Sequence, residues 1–254
     1  MKTNAVCKQA MKQTRRGFLR IAGTAAATVA LGSLPFTAGA ATSAPGKLKI
    51  GIVGSGRVGG TLGKLWAKAG HQVMFSSLDL EQDKALAASV GANARAGTSR
   101  EAAAFGDVVL ISVPYAALPQ VGKDLASLLK GKTVIDTCNP IPARDGEIAT
   151  WAREKGAGLA SAELLPGARI VRAFNAVGYM RMAEAGQRPG PRTGMPMAGD
   201  DADAIAVASG LVREAGFEPV LIGPLVMGKH LMPGTPLAGE RAPDEIRKIA
   251  ATLN

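Results

Sequence analysis

The chain has little of what most catalytic frameworks are built from. Of its 254 residues two are cysteine (Cys7 and Cys138) and two are histidine (His71 and His230), and aromatic residues make up 4%. Cys7 falls in the basic leader of residues 1–40, which leaves Cys138 alone in the rest of the chain with no internal disulfide to make, and there is no Cys/His metal spacing. Two isolated histidines give no visible nucleophile–base–acid arrangement. His71 lies at a helix-to-strand turn, where a structural role is expected; His230, beside Lys229 in a glycine-rich stretch, fits a structural or a functional role. Long apolar runs are also missing. The longest mild one, Ile21 to Leu34, is too short and too rich in Ala, Gly and Thr to act as a stable membrane anchor. Few aromatics with 32 glycines and much alanine suit helices packed closely on a parallel sheet.

Acidic residues are absent from Met1 to Ala40, which carries Lys2, Lys8, Lys12, Arg15, Arg16 and Arg20. Thr14-Arg15-Arg16-Gly17-Phe18-Leu19-Arg20 resembles a twin-arginine export signal, and Ala38-Gly39-Ala40 resembles its cleavage region. The resemblance implies recognition by the twin-arginine export machinery and a periplasmic or otherwise exported mature protein. Without residues 1–40 the formal net charge falls from +10 to about +4, so the basic balance is mostly a feature of the leader and not a nucleic-acid footprint. Residues 41–47 then read as a flexible lead-in. About 214 residues remain, enough for one large domain or one domain with an appendage.

What the chain does have is a glycine motif in the right setting. Lys49 to Val53 is a short apolar, β-branched run. Gly54, Ser55, Gly56, Arg57, Val58 and Gly59 follow with the spacing G-x-G-x-x-G. Val58, Leu62, Leu65, Trp66 and Ala69 then recur at helical spacing up to Gly70, and Val73 to Phe75 starts a second strand. A glycine triplet between strand and helix in a βαβ unit fits a dinucleotide. The first glycine makes the turn, the second lets a pyrophosphate approach, and the third lets the helix pack on the sheet. The anion meets free N–H groups at the positive end of the helix. Arg57 offers added phosphate charge, with an exposed helix-start arginine as the plain alternative.

Beyond the second strand an acidic residue would favour NAD through the ribose 2′-hydroxyl. Ser76 and Ser77 stand there instead and can donate to a 2′-phosphate, which puts NADP first and NAD second; Asp79 is a nearby counter-signal. Helix and strand signals then alternate. Helices are expected over Glu81–Val90, from Thr98 or Ser99 to Phe105, and along the stripe Leu118, Val121, Leu125, Leu128, Leu129. Strands are expected over Val108–Val113, Thr133–Asp136 and Ile170–Phe174. The alternation predicts an α/β fold, a doubly wound parallel sheet of Rossmann type over 48–176. A small C-terminal subdomain over 177–254 should contain one more βαβ unit: Met195–Ala198, a helix capped by Asp200 or Asp201, and Pro219–Ile222. A closing helix is expected over Ala242–Leu253, and Gly190–Gly194 is a candidate lid. Ligands should sit at the carboxyl ends of the strands, beside Ser112, Val113 and Pro114, beside Asn139 and Pro140, and beside Asn175 and Ala176.

The ordered set G-S-G-R-V-G, A-G-H-Q-V, S-V-P-Y, D-T-C-N-P-I, L-P-G-A-R-I-V-R-A-F-N and G-F-E-P-V resembles the NADP-dependent deazaflavin-coenzyme oxidoreductases, from about Leu48 to Leu225. Similar domains bind the nucleotide in six-transmembrane metalloreductases. The resemblance implies hydride transfer between nicotinamide and a deazaflavin, with a flavin or metal chelate as related acceptors. It places Ser76 and Ser77 at the 2′-phosphate, Val113 and Pro114 by the nicotinamide ribose, and Asn139 and Asn175 near the reacting rings. Leu78 and Val226 stand where members commonly carry arginine. The partners implied are a small-molecule redox acceptor and no nucleic acid; a homodimer is an allowed assembly. The competing class is an NADP(H)-binding redox sensor or scaffold without turnover.

Overall fold

The apolar run Lys49–Val53 forms strand β1, buried beyond its first residue, and the sheet grows from it in both directions. The computed structural model describes residues 46–185 and 187–253, within a unit spanning Ser43–Asn254. The arginine-pair leader of 1–40 and residues 41–45 of the lead-in lie outside the described residues. From β1 the chain crosses through helix α1 (Arg57–Lys68) to β2 (Gln72–Ser76), then through α2 (Leu80–Val90) to β3 (Ala94–Ala96). Helix α3 (Ser99–Phe105) returns it to the other side of β1, as β4 (Val108–Ile111). Helix α4 (Leu118–Leu129) leads to β5 (Thr133–Asp136), and α5 (Pro142–Asp145), α6 (Glu147–Lys155) and α7 (Ala157–Leu164) lead to β6 (Arg169–Arg172). Helix α8 (Tyr179–Ala185) precedes β7 (Gly194–Gly199), α9 (Ala202–Glu214), β8 (Glu218–Gly223) and α10 (Pro243–Ala250).

The sheet has eight strands in the order β3-β2-β1-β4-β5-β6-β7-β8. Pairing is parallel from β3 to β6, antiparallel between β6 and β7, and parallel again between β7 and β8. The order reverses between β1 and β4, which opens a crevice at the carboxyl ends of these strands. The fold is therefore the doubly wound Rossmann type. The expected C-terminal βαβ unit is present as β7-α9-β8 and extends the same sheet. It adds a small core of its own around Ala198, Val220, Leu231, Leu237 and Ile246. Among the described residues no helix is long and apolar enough to cross a membrane.

Local chemistry sets the element ends. Thr98, not Ser99, caps α3: its hydroxyl accepts from Glu101 N while the Glu101 carboxylate accepts from Thr98 N, a reciprocal capping box. Asp201 caps α9 through Ala204 N at 2.8 Å. Asp200 instead accepts from Leu225 N at 2.8 Å and ties down the 3-10 turn Leu225–His230. β3 and the helices between residues 142 and 164 were not legible as elements: β3 is three residues long, and α7 carries no one-sided apolar stripe.

The main core joins both ends of the sheet. Trp66 of α1, Phe174 after β6 and Phe217 before β8 stack edge-to-face, with centroids 6.0 and 6.3 Å apart. Trp66 Nε1 donates to Leu211 O at 2.9 Å. His71 is structural, as expected. Its Nδ1 accepts from Leu48 N at 3.0 Å, so Nε2 carries the proton and faces Glu214 Oε2 at 2.5 Å.

One ion pair lies inside the sheet. Arg172 at the end of β6 and Asp136 at the end of β5 are both fully buried and meet at 2.5 Å. Asp136 Oδ1 also accepts from Cys138 N, while Arg172 donates to Cys138 O and Ser161 Oγ. Burying two charges is costly, and removing one leaves the other uncompensated. Arg172→Met and Asp136→Leu should each lower stability by about 3–5 kcal/mol. The double variant should lose clearly less than the sum of the two. Denaturant melts of the four proteins measure this; simple additivity would contradict it.

Candidate functional site: a dinucleotide crevice

The glycine loop is held from below. Gly54 N and Ser55 N both donate to Ser76 O at 2.9 Å, which fastens the loop to the end of β2. Gly54 adopts φ +97°, and a Cβ there would lie 2.2 Å from Ser112 O on the neighbouring β4 end. A Cβ on Gly59 would lie 2.1 Å from Gly54 O. Both glycines are thus required by the chain itself. Gly56 is different. Its φ is −65°, and a Cβ there would meet nothing within 4 Å. The space where a side chain would stand at Gly56 is open, so the loop can be approached closely from outside at this point. The start of α1 points the same way: Gly56 supplies no side-chain cap, and the first turn holds no acidic residue.

Three cavities follow the strand ends from this loop. The first, of about 380 Å³, is bounded by Gly54, Gly56, Ser77, Leu78, Asp79 and the β4 loop Ser112–Pro114. The second, of about 300 Å³, shares Ser112–Pro114 and adds Arg57, Val58, Thr137, Asn139 and Arg144. The third, of about 460 Å³, shares Val58, Thr137 and Asn139 and adds Asn175–Tyr179, Pro233, Gly234, Ala238 and Gly239. The shared residues make them successive parts of one crevice, with volumes in the range of small-molecule sites.

Most residues singled out from the sequence meet in this crevice: Gly54, Gly56, Arg57, Val58, Ser77, Ser112, Val113, Pro114, Asn139, Asn175 and Ala176. Gly59 packs beneath the loop and Ser55 lies within it. Two are placed otherwise. Ser76 is fully buried and its hydroxyl donates inward to Ile52 O at 2.6 Å, because it still belongs to the strand and faces the sheet interior. Pro140 is buried too, and its carbonyl accepts from Arg153 at 3.3 Å. The expected 2′-phosphate seat therefore keeps Ser77 alone at the cavity wall. The candidate lid at Gly190–Gly194 lines none of the three cavities.

The inner end of the crevice is set by two asparagines. Asn139 Nδ2 donates to Asn175 O at 2.9 Å, and Asn139 Oδ1 faces Arg172 and Asn175 Nδ2 at 3.4 Å. Asn175 Oδ1 has no partner in the protein. The preceding Phe174 takes φ 64° and is the one non-glycine with positive φ among the described residues. The edge-to-face contacts with Trp66 and Phe217 hold it in that turn, which carries the chain from β6 to Asn175.

Several supporting residues escaped the sequence. Asp145 accepts from Ile141 N at 2.9 Å, from Ala116 N at 3.3 Å and from both arms of Arg144. It thereby clamps the β4 and β5 loops together. Burial would push its carboxyl up, but the hydrogen bonds from Arg144, Ile141 and Ala116 outweigh this and hold it below the ordinary aspartate range. Tyr115 turns away from the crevice into the core, where it meets Ser161 Oγ at 3.2 Å; burial first, then the Asp136 charge, push its phenol up. Cys138 is buried, and burial followed by the nearby Asp136 raises its thiol well above the ordinary value. Among the described residues no group of three metal-ligating side chains occurs.

Residues 49–140 match the family described as NADP oxidoreductase, coenzyme F420-dependent. The fold is shared with the hypothetical protein SMa0349 of Sinorhizobium meliloti: 24% identity, 76% of this chain and 93% of that one covered, TM-score 0.62. It is also shared with an Arthrobacter sp. FB24 protein described as a candidate F420-dependent NADP-reductase, at 21% identity, 72% and 87% coverage and TM-score 0.61. A 3-hydroxyisobutyrate dehydrogenase of Mycobacterium tuberculosis is more distant, at 20% identity, 72% and 57% coverage and TM-score 0.53.

The three glycines should respond differently to substitution. Gly56→Ala should leave the thermal midpoint unchanged while weakening dinucleotide binding by about tenfold or more. Gly59→Ala should cost about 1–3 kcal/mol of stability through overpacking. Melting and binding curves on the same samples test this; loss of stability in Gly56→Ala would contradict it.

Proposed function

We propose that this chain is an NADP-dependent oxidoreductase that passes a hydride between nicotinamide and a deazaflavin, with a flavin or a metal chelate as related acceptors. The observation that carries the reading is Gly56, where the space that a side chain would fill is open, at the uncapped start of α1. The family matched by residues 49–140 supports NADP and the deazaflavin, as does the description of the Arthrobacter protein.

The residues fit the pyrophosphate and nicotinamide of such a dinucleotide. The loop Ser55–Val58 would hold the pyrophosphate, with Arg57 beside it. Val113 and Pro114 would give the dinucleotide an apolar wall and keep water from the nicotinamide end. Asn175 Oδ1, without a partner, would accept an N–H of the carboxamide, and Asn139 would hold Asn175 in place. When bound, the nicotinamide supplies the hydride. The protein's share is orientation and exclusion of water, which needs no acid or base. The wall of the inner cavity agrees: its one titratable side chain is Tyr179.

A second reading, a nucleotide-binding redox sensor or scaffold without turnover, is favoured by one observation. Val226 and its neighbours sit on the turn Leu225–His230, which packs on α7 and Arg172 and does not line the inner cavity. No residue of that turn lines any of the three cavities. The arginine pair of the leader supports folded export with the nucleotide already in place, and the mass of the mature N-terminus checks it.

NADPH oxidation separates the two classes. The purified protein with NADPH should lose nicotinamide absorbance on addition of an oxidised deazaflavin, a flavin or a ferric chelate, and Gly56→Ala should lose the rate. If NADPH binds and none of these acceptors oxidises it, the sensor reading replaces the enzyme.

A further inference from the structure

Behind the wall of the first cavity lies an acidic residue that the sequence did not bring forward. Asp83, on the first turns of α2, is 1% exposed. Its Oδ1 accepts from Ser55 Oγ of the glycine loop, and its Oδ2 accepts from Ser77 Oγ at 2.9 Å. One carboxylate therefore joins the loop that faces the pyrophosphate to the segment that faces the adenosine ribose.

The consequence follows from counting protons. A serine hydroxyl has one hydrogen to donate. Ser77 directs its own inward, to Asp83 or to Asp79 O at 3.2 Å, and it also accepts from Asp79 N at 3.1 Å. What it can still offer a ligand is an oxygen lone pair. Ser76 has likewise committed its hydrogen to Ile52 O. A ribose 2′-hydroxyl can donate to the free lone pair of Ser77, but a 2′-phosphate needs donors and finds none from either serine. The charges agree. Asp79 lies on the cavity wall, Asp83 lies just behind Ser77, and none of the residues lining that cavity is Lys or Arg. A 2′-phosphate touching Ser77 would face like charge at short range.

We infer that Asp83 is a specificity-determining residue: by holding the hydroxyls of Ser55 and Ser77 turned inward, it keeps the ribose seat open to a 2′-hydroxyl and restrains the preference for NADPH over NADH. The inference rests on the dinucleotide reading of the crevice. Asp83→Asn tests it, because an amide offers one acceptor and one donor where the carboxylate offered two acceptors. One serine can then turn its hydrogen outward, and the negative charge is gone.

The experiment is a set of dissociation constants for NADPH and NADH, with thermal melts alongside, for the wild-type protein, Asp83→Asn and Ser77→Ala. The wild-type protein should bind the two nucleotides within about tenfold of each other. Asp83→Asn should move the ratio toward NADPH by about tenfold or more. Ser77→Ala should weaken NADH more than NADPH. A wild-type preference for NADPH above about a hundredfold overturns the inference while leaving the dinucleotide site intact, as does an equal change for both nucleotides in both variants. Binding of neither nucleotide by the wild-type protein removes the dinucleotide reading and the inference with it.

Discussion

The crevice depends on two charges that never see water. Asp136 and Arg172 close the ends of β5 and β6, and from that pair the inner wall is hung. Arg172 reaches Cys138 O and the Asn139 amide oxygen; Asp136 takes the Cys138 N–H; Ser161 links the pair to Tyr115. Because a guanidinium can only donate, Arg172 fixes which end of the Asn139 side chain is oxygen. Asn139 in turn fixes Asn175, whose remaining oxygen is left for something else. A Cβ on Gly228 would lie 2.6 Å from the Arg172 stem, so the 3-10 turn also closes directly over the pair. A buried ion pair is weak evidence for stability in general. Here it gives polarity and direction to the groups at the site.

The outer half of the crevice is organised by close approach. Gly54 lets β4 come up against the loop, Gly59 lets α1 ride on it, and Gly56 leaves the gap that the other two shape. Asp83 and Asp145 act as cross-ties, one joining the glycine loop to the segment after β2 and the other joining the β4 and β5 loops. The site is therefore largely preformed by contacts within the chain.

The fold was readable because its signals are local. Continuous apolar runs such as Val108–Ile111, a glycine triplet between strand and helix, and caps at Thr98 and Asp201 each act within a few residues. The same holds for the loops carrying Ser112–Pro114, Asn139 and Asn175, since parallel strands place their carboxyl ends together. What was not readable depends on partners distant in sequence. Ser76 was expected at the ligand, but it is still in register with β1 and turns its hydroxyl to Ile52 O. Asp83 lies in the first turn of α2, and only the meeting with Ser55, 28 residues away, gives it a role. The positive φ of Phe174 is set by Trp66 and Phe217, neither of them near it in the chain.

The central claim is that one dinucleotide lies along this crevice, with its pyrophosphate at Gly56 and its nicotinamide beside Asn139 and Asn175. A crystal structure of the protein with NADPH tests it most directly. The account predicts the pyrophosphate against the backbone N–H groups at the start of α1 and the carboxamide at Asn175 Oδ1. A nucleotide bound elsewhere, reversed in the crevice, or absent at saturating concentration would contradict it.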